Sequence, residues 1–223
     1  NKVDIMTTTP TYLSNMIDLP QLQEAASQIK VFDVGAEAFP PALYDKIRSV
    51  NPDAHIMNGY GPTETTISCT MKVITDSKNI TIGAPNGNVK VYVVDKENRV
   101  LPDGETGELV VAGLGVGRGY INLPEKTADV FIELNGERAY KTGDLAYWRE
   151  DGQIIYCGRN DFQVKIHGQR IELGEIENAI VEIDGVVQCA VVVREESICA
   201  FYTGTEKEAK ELRTSLSTKL PRY

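Results

Sequence analysis

The stretch NGYGPTETT at positions 58–66 combines residue types that could bind a nucleotide. A glycine-rich loop lets the backbone approach phosphate, and threonine hydroxyls and backbone N–H groups can bond to phosphate oxygens. A carboxylate can hold Mg²⁺ together with those oxygens, and an aromatic ring offers a face on which a base stacks. Tyr60, Thr63 and Glu64 supply the ring, the hydroxyl and the carboxylate. Considered alone, a Gly-Pro turn with an incidental glutamate explains the stretch equally well.

Asp144 in YKTGDLAYW, positions 140–148, is a second candidate. It follows a glycine, which predicts a turn, and a carboxylate there could accept hydrogen bonds from both hydroxyls of a ribose. Acids bind ribose in this way in other nucleotide sites. A simple Asx-turn is the favoured interpretation of this stretch by itself.

Two further stretches are rich in glycine or in basic residues. GRNDFQVKIHGQRIELGEIE, positions 158–177, places Arg159, Lys165 and Arg170 among glycines and acids. These cations could hold phosphate, or they could pair with the acids on a surface strand pair. GELVVAGLGVGRGY, positions 107–120, favours a structural interpretation, in which its glycines allow bulges and tight packing in a sheet.

The first 60 residues predict the elements that position the first candidate stretch. IKVFDVGAEAF indicates a strand, PPALYDKIRSV a helix with proline at its start, and DAHIMNGYG the next strand with its exit loop. This β–α–β order predicts a parallel sheet with helical crossovers. Ligands of such sheets bind outside the carboxyl ends of the strands, and NGYGPTETT lies at such an end.

From about residue 67 onward the pattern changes to short strands with turns such as DGETG and EDG. This spacing predicts an antiparallel or barrel-like region, which includes ITIGAPNGN. The last 60 residues predict a small α+β unit. In it IELGEIENAIVEIDGV forms a helix, VVQCAVVVREESICAFYTG forms paired strands and EKEAKELRTSLSTKL forms a charged helix. We therefore expect an α/β part over 1–75, a β-rich part over 76–160 and a small domain over 161–223, with the boundary near GRND.

Composition excludes several classes of protein. The net charge of -9 argues against a nucleic-acid partner, because phosphate backbones attract clustered Lys and Arg. No apolar run approaches the roughly 20 residues that cross a bilayer, and no signal peptide is visible. The cysteines form no CxxC pair, the histidines are far apart, and no metal cluster emerges. We interpret the cysteines as buried free thiols of a protein in the reducing cytoplasm. They are Cys69, Cys157, Cys189 and Cys199.

The order and spacing of the four stretches are more specific than any one of them. NGYGPTETT, GELVVAGLGVGRGY, YKTGDL and GRNDFQVKIHGQRIELGEIE together resemble the core motifs of the adenylate-forming enzyme superfamily. They are most similar to the amino-acid adenylation domains of nonribosomal peptide synthetases, with D-alanine–D-alanyl carrier protein ligases a near second. The resemblance runs from TTTPTY to LPRY. It implies the C-terminal part of the large adenylation domain, namely a parallel sheet with helices plus a β-rich barrel-like subdomain, followed by a truncated small α+β domain.

The resemblance implies a two-step reaction with ATP and Mg²⁺. An amino acid is activated as an acyl-adenylate and then passes to the phosphopantetheine thiol of a carrier protein. Tyr60 and Tyr156 would enclose the adenine, Thr63 would bond the α-phosphate, and Glu64 would hold the metal. The remaining nucleotide-binding residues implied are Asn58, Gly59, Asp144 and Arg159, with Asp144 on the ribose hydroxyls.

The resemblance also implies a substrate pocket and a hinge. The matched pocket positions, which suggest a small polar or cationic amino-acid side chain, are Thr7, Asp33, Gly35, Gly59, Ile67 and Ser68. Asp161 matches the hinge about which the small domain rotates to present Lys165 and the HGQR loop for thioester formation.

The family's phosphate loop and catalytic lysine match no part of this sequence, so the sequence predicts a fragment that is inactive alone. Three alternatives remain: a D-alanyl carrier protein ligase acting on teichoic acid, an acyl-CoA synthetase, and a non-enzymatic docking module.

Overall fold

A computed structural model describes residues 3–160, 163–166, 168–194 and 197–221. The chain divides into two compact units, Asn1–Asn160 and Asp161–Tyr223. The first unit contains two sheets of five strands each, and the second contains two separate hairpins with two helices.

The first sheet has the strand order β1-β2-β3-β4-β5. β1, β2 and β3 are parallel, as the sequence predicted, whereas β4 and β5 join antiparallel. The strands are β1 (Ile5–Thr8), β2 (Val31–Gly35), β3 (His55–Tyr60), β4 (Thr70–Ile74) and β5 (Ala84–Pro85). The helices between them are α1 (Pro10–Met16), α2 (Pro20–Ala26) and α3 (Pro41–Val50).

Local sequence explains why these helices begin where they do. Each of the three starts with proline at its first position, where the missing N–H has no intrahelical partner to lose. α3 then buries Leu43 and Ile47 against the sheet, where Phe32, Val34 and Ile56 are also fully enclosed. This core fixes the strands whose carboxyl ends carry the candidate residues.

The second sheet is antiparallel, with the order β10-β9-β7-β6 and β8 paired to β9. Its strands are β6 (Val89–Val94), β7 (Gly107–Gly113), β8 (Phe131–Leu134), β9 (Glu137–Trp148) and β10 (Ile154–Arg159), and α4 (Pro124–Val130) precedes β8. β7 is buried on both faces, because Leu109 and Val111 pack in one apolar cluster and Val110 and Ala112 in another. The predicted change from an α/β part to an antiparallel β-rich part is confirmed.

The second unit forms a small α+β structure. Its elements are β11 (Gln163–Ile166), β12 (Gln169–Glu172), α5 (Leu173–Val181), β13 (Val186–Arg194), β14 (Ser197–Gly204) and α6 (Ala209–Leu216). Leu173 and Ile180 of α5 pack against Val191 of β13. The predicted helix, paired strands and charged helix are all present.

Three expectations from the sequence are wrong. Asp144 does not follow a turn: it lies inside the long strand β9, at a register shift against β7 where Gly143 has φ of 72°. ITIGAPNGN is not strand-rich, because in it only the two-residue strand Ala84–Pro85 and an isolated bridge at Gly83 pair. Of the cysteines only Cys69 is buried, and Cys157, at the register shift in β10, is exposed.

In the part of the chain that the structure describes, every helix is too short or too polar to cross a membrane.

Candidate functional site

The loop after β3 folds back on itself at Gly61. A Cβ atom at this position would lie 2.6 Å from the Ile67 carbonyl oxygen and 2.7 Å from the Cys69 amide nitrogen, so only glycine fits. The return is closed by a hydrogen bond of 2.8 Å from the Cys69 amide to the Tyr60 carbonyl. Between these points Thr63–Thr65 form one turn of 3-10 helix, in which Thr63 is exposed and Glu64 is half-buried.

The same loop holds two β-branched residues in the left-handed region. Thr66 has φ of 62° and Ile67 has φ of 70°, a conformation that costs roughly 1–3 kcal/mol per residue and that surrounding contacts must enforce. The Thr66 hydroxyl donates to the Gly115 carbonyl at 2.8 Å, and the Ser68 amide donates to the Thr66 carbonyl at 2.9 Å. These two hydrogen bonds hold the loop at Thr66.

Asp144 is the centre of a buried polar network, with only 3% of its surface exposed. The Arg159 guanidinium donates to Asp144 Oδ1 at 2.8 Å, and the Tyr60 hydroxyl donates to Oδ2. The Asp144 amide donates to the Thr142 hydroxyl at 3.0 Å. Burial, followed by the charge of Asp144, raises the pKa of Tyr60 well above its usual value, so its hydroxyl remains a donor.

The bulge in β9 explains how this network is built. Glu108 of β7 accepts a hydrogen bond of 3.1 Å from the Gly143 amide, and the Thr142 hydroxyl donates to the Leu109 carbonyl at 2.8 Å. The irregular register therefore directs the Asp144 carboxylate of the second sheet toward Tyr60, which belongs to the first sheet. Tyr60 and Asp144 are therefore in contact, although they are 84 positions apart in the sequence. The sequence predicted both of them in one nucleotide site.

Tyr60 and Tyr156, predicted to enclose a base, also lie side by side. Their ring centroids are 6.2 Å apart with an angle of 44° between the planes, which is the range in which aromatic rings contact each other directly. Tyr60 is 7% exposed and Tyr156 is 37% exposed. A base could therefore stack on the outer face of Tyr156, whereas a position between the rings requires them to separate.

Glu64 is held by a tyrosine that was not among the residues predicted from the sequence. The Tyr120 hydroxyl donates to Glu64 Oε1 at 2.5 Å, and it lies 3.5 Å from the Tyr140 hydroxyl. Burial, followed by the bonds to Glu64 and Tyr140, raises the pKa of Tyr120 well above its usual value. The signal in the sequence is the aromatic residue at the end of GELVVAGLGVGRGY, a stretch whose glycines favour a structural interpretation.

The glycines of that stretch pack their backbone on the Glu64 turn. The Gly117 amide donates to the Glu64 carbonyl at 2.7 Å. Cβ atoms added at Gly115 and Gly117 would lie 3.1 Å and 3.3 Å from the carbonyl oxygens of Thr65 and Glu64. The structural interpretation accounts for Gly113, where a Cβ would lie 2.4 Å from the Asn88 carbonyl, but the loop beyond it reaches the candidate site.

The predicted pocket residues gather at the carboxyl ends of the three parallel strands. Thr7 and Asp33 are register partners on β1 and β2, and Gly59 on β3 lies opposite Gly35. The Thr7 hydroxyl donates to Asp33 Oδ2 at 3.4 Å. A Cβ at Gly59 would lie 3.6 Å from Asp33 Oδ1 and 3.5 Å from Ser68 Oγ, so these polar atoms face the glycine.

Three other predicted residues have different surroundings. The Ile67 side chain is 82% exposed. Only glycine fits at position 35, because a Cβ there would lie 2.5 Å from the Gly59 carbonyl oxygen on the neighbouring strand. Asn58 is buried, and its amide donates to the Thr81 carbonyl at 2.9 Å. The Asn58 side chain thus fixes the end of β3, and its role toward a nucleotide remains a prediction.

The second unit contains Lys165 on β11, opposite Arg170 on β12. Arg170 lies 3.9 Å from Glu172 on its own strand. Asp161, the predicted hinge, and His167 of the HGQR loop lie outside the described residues.

The fold defines an α/β protein, and comparisons identify its family. The family described as AMP-binding enzyme matches residues 1–121. Gramicidin S synthase 2 of Brevibacillus brevis is 41% identical over 224 residues, which cover 96% of this chain and 5% of that protein. Zwittermicin A synthase ZmaJ of Bacillus cereus is 39% identical over 241 residues, covering 100% of this chain and 46% of that protein.

Solved structures are also similar to this chain. Holo-PA1221, described as an NRPS protein containing adenylation and PCP domains bound to a vinylsulfonamide inhibitor, is 29% identical with a TM-score of 0.85 over 98% of this chain and 39% of that one. IdnL1, at 24% identity, shares the fold with a TM-score of 0.89 over 100% of this chain and 48% of that one.

The chain belongs to the AMP-binding enzyme family. The predicted resemblance to nonribosomal peptide synthetase adenylation domains and the predicted fold class are confirmed. The chain spans less than half the length of each of these relatives.

Proposed function

We propose that the protein carrying this chain activates an amino acid with ATP as an aminoacyl-adenylate and passes it to the phosphopantetheine thiol of a carrier protein. The observation that supports this most is the network at the carboxyl edge of the first sheet. Tyr60, Asp144 and Arg159 form one buried hydrogen-bonded cluster there, in a chain of the AMP-binding enzyme family.

Asp144 is the proposed ribose ligand. A carboxylate offers about four acceptor positions, and Tyr60 and Arg159 donate to one oxygen each. Acceptor capacity therefore remains for the ribose hydroxyls. Arg159 stabilises the negative charge of the carboxylate, which strengthens any hydrogen bond that it accepts.

Glu64 is the proposed Mg²⁺ ligand, and its surroundings fit that ion. Mg²⁺ is usually held by one or two carboxylates together with substrate phosphate oxygens. Glu64 supplies one carboxylate beside the exposed Thr63, which is the proposed partner of the α-phosphate. When bound, the ion would neutralise phosphate charge, while the turn and the Tyr120 hydroxyl would fix the direction of the carboxylate.

The proposed first step is attack by a substrate carboxylate oxygen on the α-phosphorus of ATP. The bond from that phosphorus to the bridging oxygen breaks, and pyrophosphate leaves with its electron pair. Such transfers depend on positioning and on stabilising charge in the transition state. Asp144 and Tyr156 would position the nucleoside, and Thr63 would donate a hydrogen bond to the phosphate.

The substrate would lie at the pocket formed by Thr7, Asp33, Gly59 and Ser68. If a bound ligand removed water from a carboxylate and gave it no hydrogen-bond donor, binding would cost several kcal/mol. We therefore infer a short substrate side chain that carries an amine or hydroxyl for Asp33. The pocket's polar atoms support this inference, since Asp33, Thr7 and Ser68 all lie near Gly59.

The second unit would serve the thioester step. Lys165 is the proposed residue presented to the carrier, and Asp161 is the proposed hinge. Holo-PA1221 contains a PCP domain as well as an adenylation domain, and this similarity supports a carrier partner.

The test is amino-acid-dependent exchange of labelled pyrophosphate into ATP by the full-length protein that carries this chain. The panel contains all common amino acids, D-alanine and short diamino acids. We expect exchange with a small polar or amine-bearing substrate, lost in Glu64→Ala and kept in Glu105→Ala, a surface control.

Exchange with D-alanine alone would favour the D-alanyl carrier protein ligase. CoA-dependent activation of other carboxylic acids would favour an acyl-CoA synthetase. A folded protein with none of these activities would leave the docking module. If Glu64→Ala kept full exchange, the metal assignment would be wrong.

A further inference from the structure

Tyr120 connects the glycine-rich loop after β7 to the proposed metal carboxylate. The two residues are 56 positions apart, and the phenol donates to Glu64 Oε1 at 2.5 Å. The backbone makes a parallel contact, because the Gly117 amide donates to the Glu64 carbonyl at 2.7 Å. Both the main chain and the side chain of Glu64 are thus held by one loop.

The loop is fixed from its other side. Arg138 donates from Nε to the Gly117 carbonyl at 2.9 Å and from Nη2 to the Arg118 carbonyl at 2.7 Å. The Tyr120 ring meets the Phe131 ring edge-on, with 5.6 Å between centroids and an angle of 75°. Its amide donates to the Thr127 hydroxyl at 2.9 Å. The phenol is therefore a rigid donor.

We propose that Tyr120 is a positioning residue for Mg²⁺, which fixes the rotation of the Glu64 carboxylate so that it can bind the ion in a defined direction. The proposal rests on the proposed function, since it takes Glu64 as the metal ligand.

The physical reason lies in the geometry that Mg²⁺ demands. The ion requires near-ideal octahedral coordination and tolerates little angular error. A carboxylate on a flexible side chain loses rotational freedom when it binds, whereas one held by a phenol has already lost it. Hydrogen bonds to metal ligands commonly change metal affinity by about 10- to 100-fold.

A purely structural role for Tyr120 makes a different prediction. If the hydroxyl only joined the loop to the turn, its loss would loosen the turn and weaken nucleoside binding together with metal binding. If it directs the carboxylate, its loss weakens metal binding alone. The two roles separate when metal affinity and metal-free nucleoside affinity are measured on the same variant.

The experiment uses the full-length protein and Tyr120→Phe, which keeps the ring and removes the hydroxyl. Binding of Mn²⁺ is followed by electron paramagnetic resonance in the presence of a non-hydrolysable ATP analogue. Binding of adenosine without metal is measured by calorimetry. Tyr92→Phe is the matched control, because Tyr92 is a half-buried tyrosine of β6 that packs against the apolar cluster of Val94 and Val110. Arg138→Met is the second variant, because it releases the loop without touching Glu64.

We expect Tyr120→Phe to weaken Mn²⁺ binding by about 10-fold and to leave adenosine binding within about two-fold of the wild type. Arg138→Met should weaken Mn²⁺ binding in the same direction by a smaller factor, and Tyr92→Phe should change neither. Unchanged Mn²⁺ affinity in Tyr120→Phe would overturn the proposal, as would an equal loss of adenosine and Mn²⁺ binding.

Glu64→Ala separates this proposal from the proposed function. If Glu64→Ala abolishes Mn²⁺ binding while Tyr120→Phe preserves it, only the positioning role fails. If Glu64→Ala itself preserves Mn²⁺ binding, then the metal assignment fails and the positioning role fails with it.

Discussion

Replacing Asp144 with asparagine should weaken the protein's preference for a nucleotide that carries both ribose hydroxyls. Asn keeps the shape of Asp144 and loses its charge, so a hydroxyl would donate to a neutral oxygen instead of a carboxylate. A hydrogen bond to a charged group contributes about 1.5–3 kcal/mol. At about 1.36 kcal/mol for each factor of ten, the wild type should prefer ATP over 2′-deoxy-ATP by roughly 10- to 100-fold in kcat/KM.

The substitution also affects the folded state, and the assay must separate the two effects. Asp144 is 3% exposed and pairs with Arg159 at 2.8 Å. Removing one charge of a buried pair costs up to about 3–5 kcal/mol, and we expect a smaller loss here because Asn still accepts hydrogen bonds. A loss of stability lowers exchange with ATP and 2′-deoxy-ATP equally. Loss of a ribose contact lowers exchange with ATP more.

The assay is therefore the ratio of pyrophosphate exchange with ATP to that with 2′-deoxy-ATP, measured at a temperature where the variant is folded. The ratio should fall by about 5- to 12-fold in Asp144→Asn, because the neutral Asn oxygen still accepts a weaker hydrogen bond. Asp95→Asn is the matched control: Asp95 pairs with Arg99 at 2.6 Å in an exposed turn, where such pairs contribute little. If Asp144→Asn kept the wild-type ratio while losing activity, the carboxylate would serve only to hold Tyr60 and Arg159, and the ribose role would be refuted.

Two further predictions concern the loop and the second unit. Gly61→Ala should destabilise the protein by about 2 kcal/mol or more in urea unfolding, because its Cβ would lie 2.6 Å from a carbonyl oxygen. The control Gly87→Ala, with open space around position 87, should change the stability by no more than about 0.5 kcal/mol. Equal losses of stability in the two variants would show that the loop can shift. Lys165→Ala should slow transfer to the phosphopantetheine thiol more than it slows pyrophosphate exchange, and equal slowing of both steps would exclude its role in thioester formation.

Much of the fold was predictable because its signals are local. The prolines that start α1, α2 and α3 and the alternating burial of β2 are set by neighbouring residues. The β–α–β order then determines the parallel sheet, and the candidate residues of its strands lie at the carboxyl edge.

The bulge at Asp144 was not predictable in the same way. A glycine followed by an aspartate is typical of a turn, and the sequence does not show that β7 pairs along the whole stretch. The register shift depends on Glu108 and Leu109, more than 30 positions away, which accept bonds from Gly143 and Thr142. Long-range pairing converted an expected turn into a bulged strand.

The sequence indicated candidate chemistry where one stretch contains it, as in Tyr60, Thr63 and Glu64, whose roles stay predictions. Tyr120 was missed because its meaning depends on a contact 56 positions away. Its glycine-rich surroundings also have a sufficient structural explanation, since Gly113 packs tightly within the sheet.

The most direct test of the central claim follows one oxygen atom through the reaction. The full-length protein is given ATP and the amino acid selected in the exchange assay, with the substrate carboxylate labelled in heavy oxygen. The AMP released is then analysed by mass spectrometry. If the carboxylate attacks the α-phosphorus, AMP carries one heavy oxygen, and Glu64→Ala forms little of it. If AMP carries only ordinary oxygen, or if ADP is the product, no aminoacyl-adenylate forms and the proposed function is wrong.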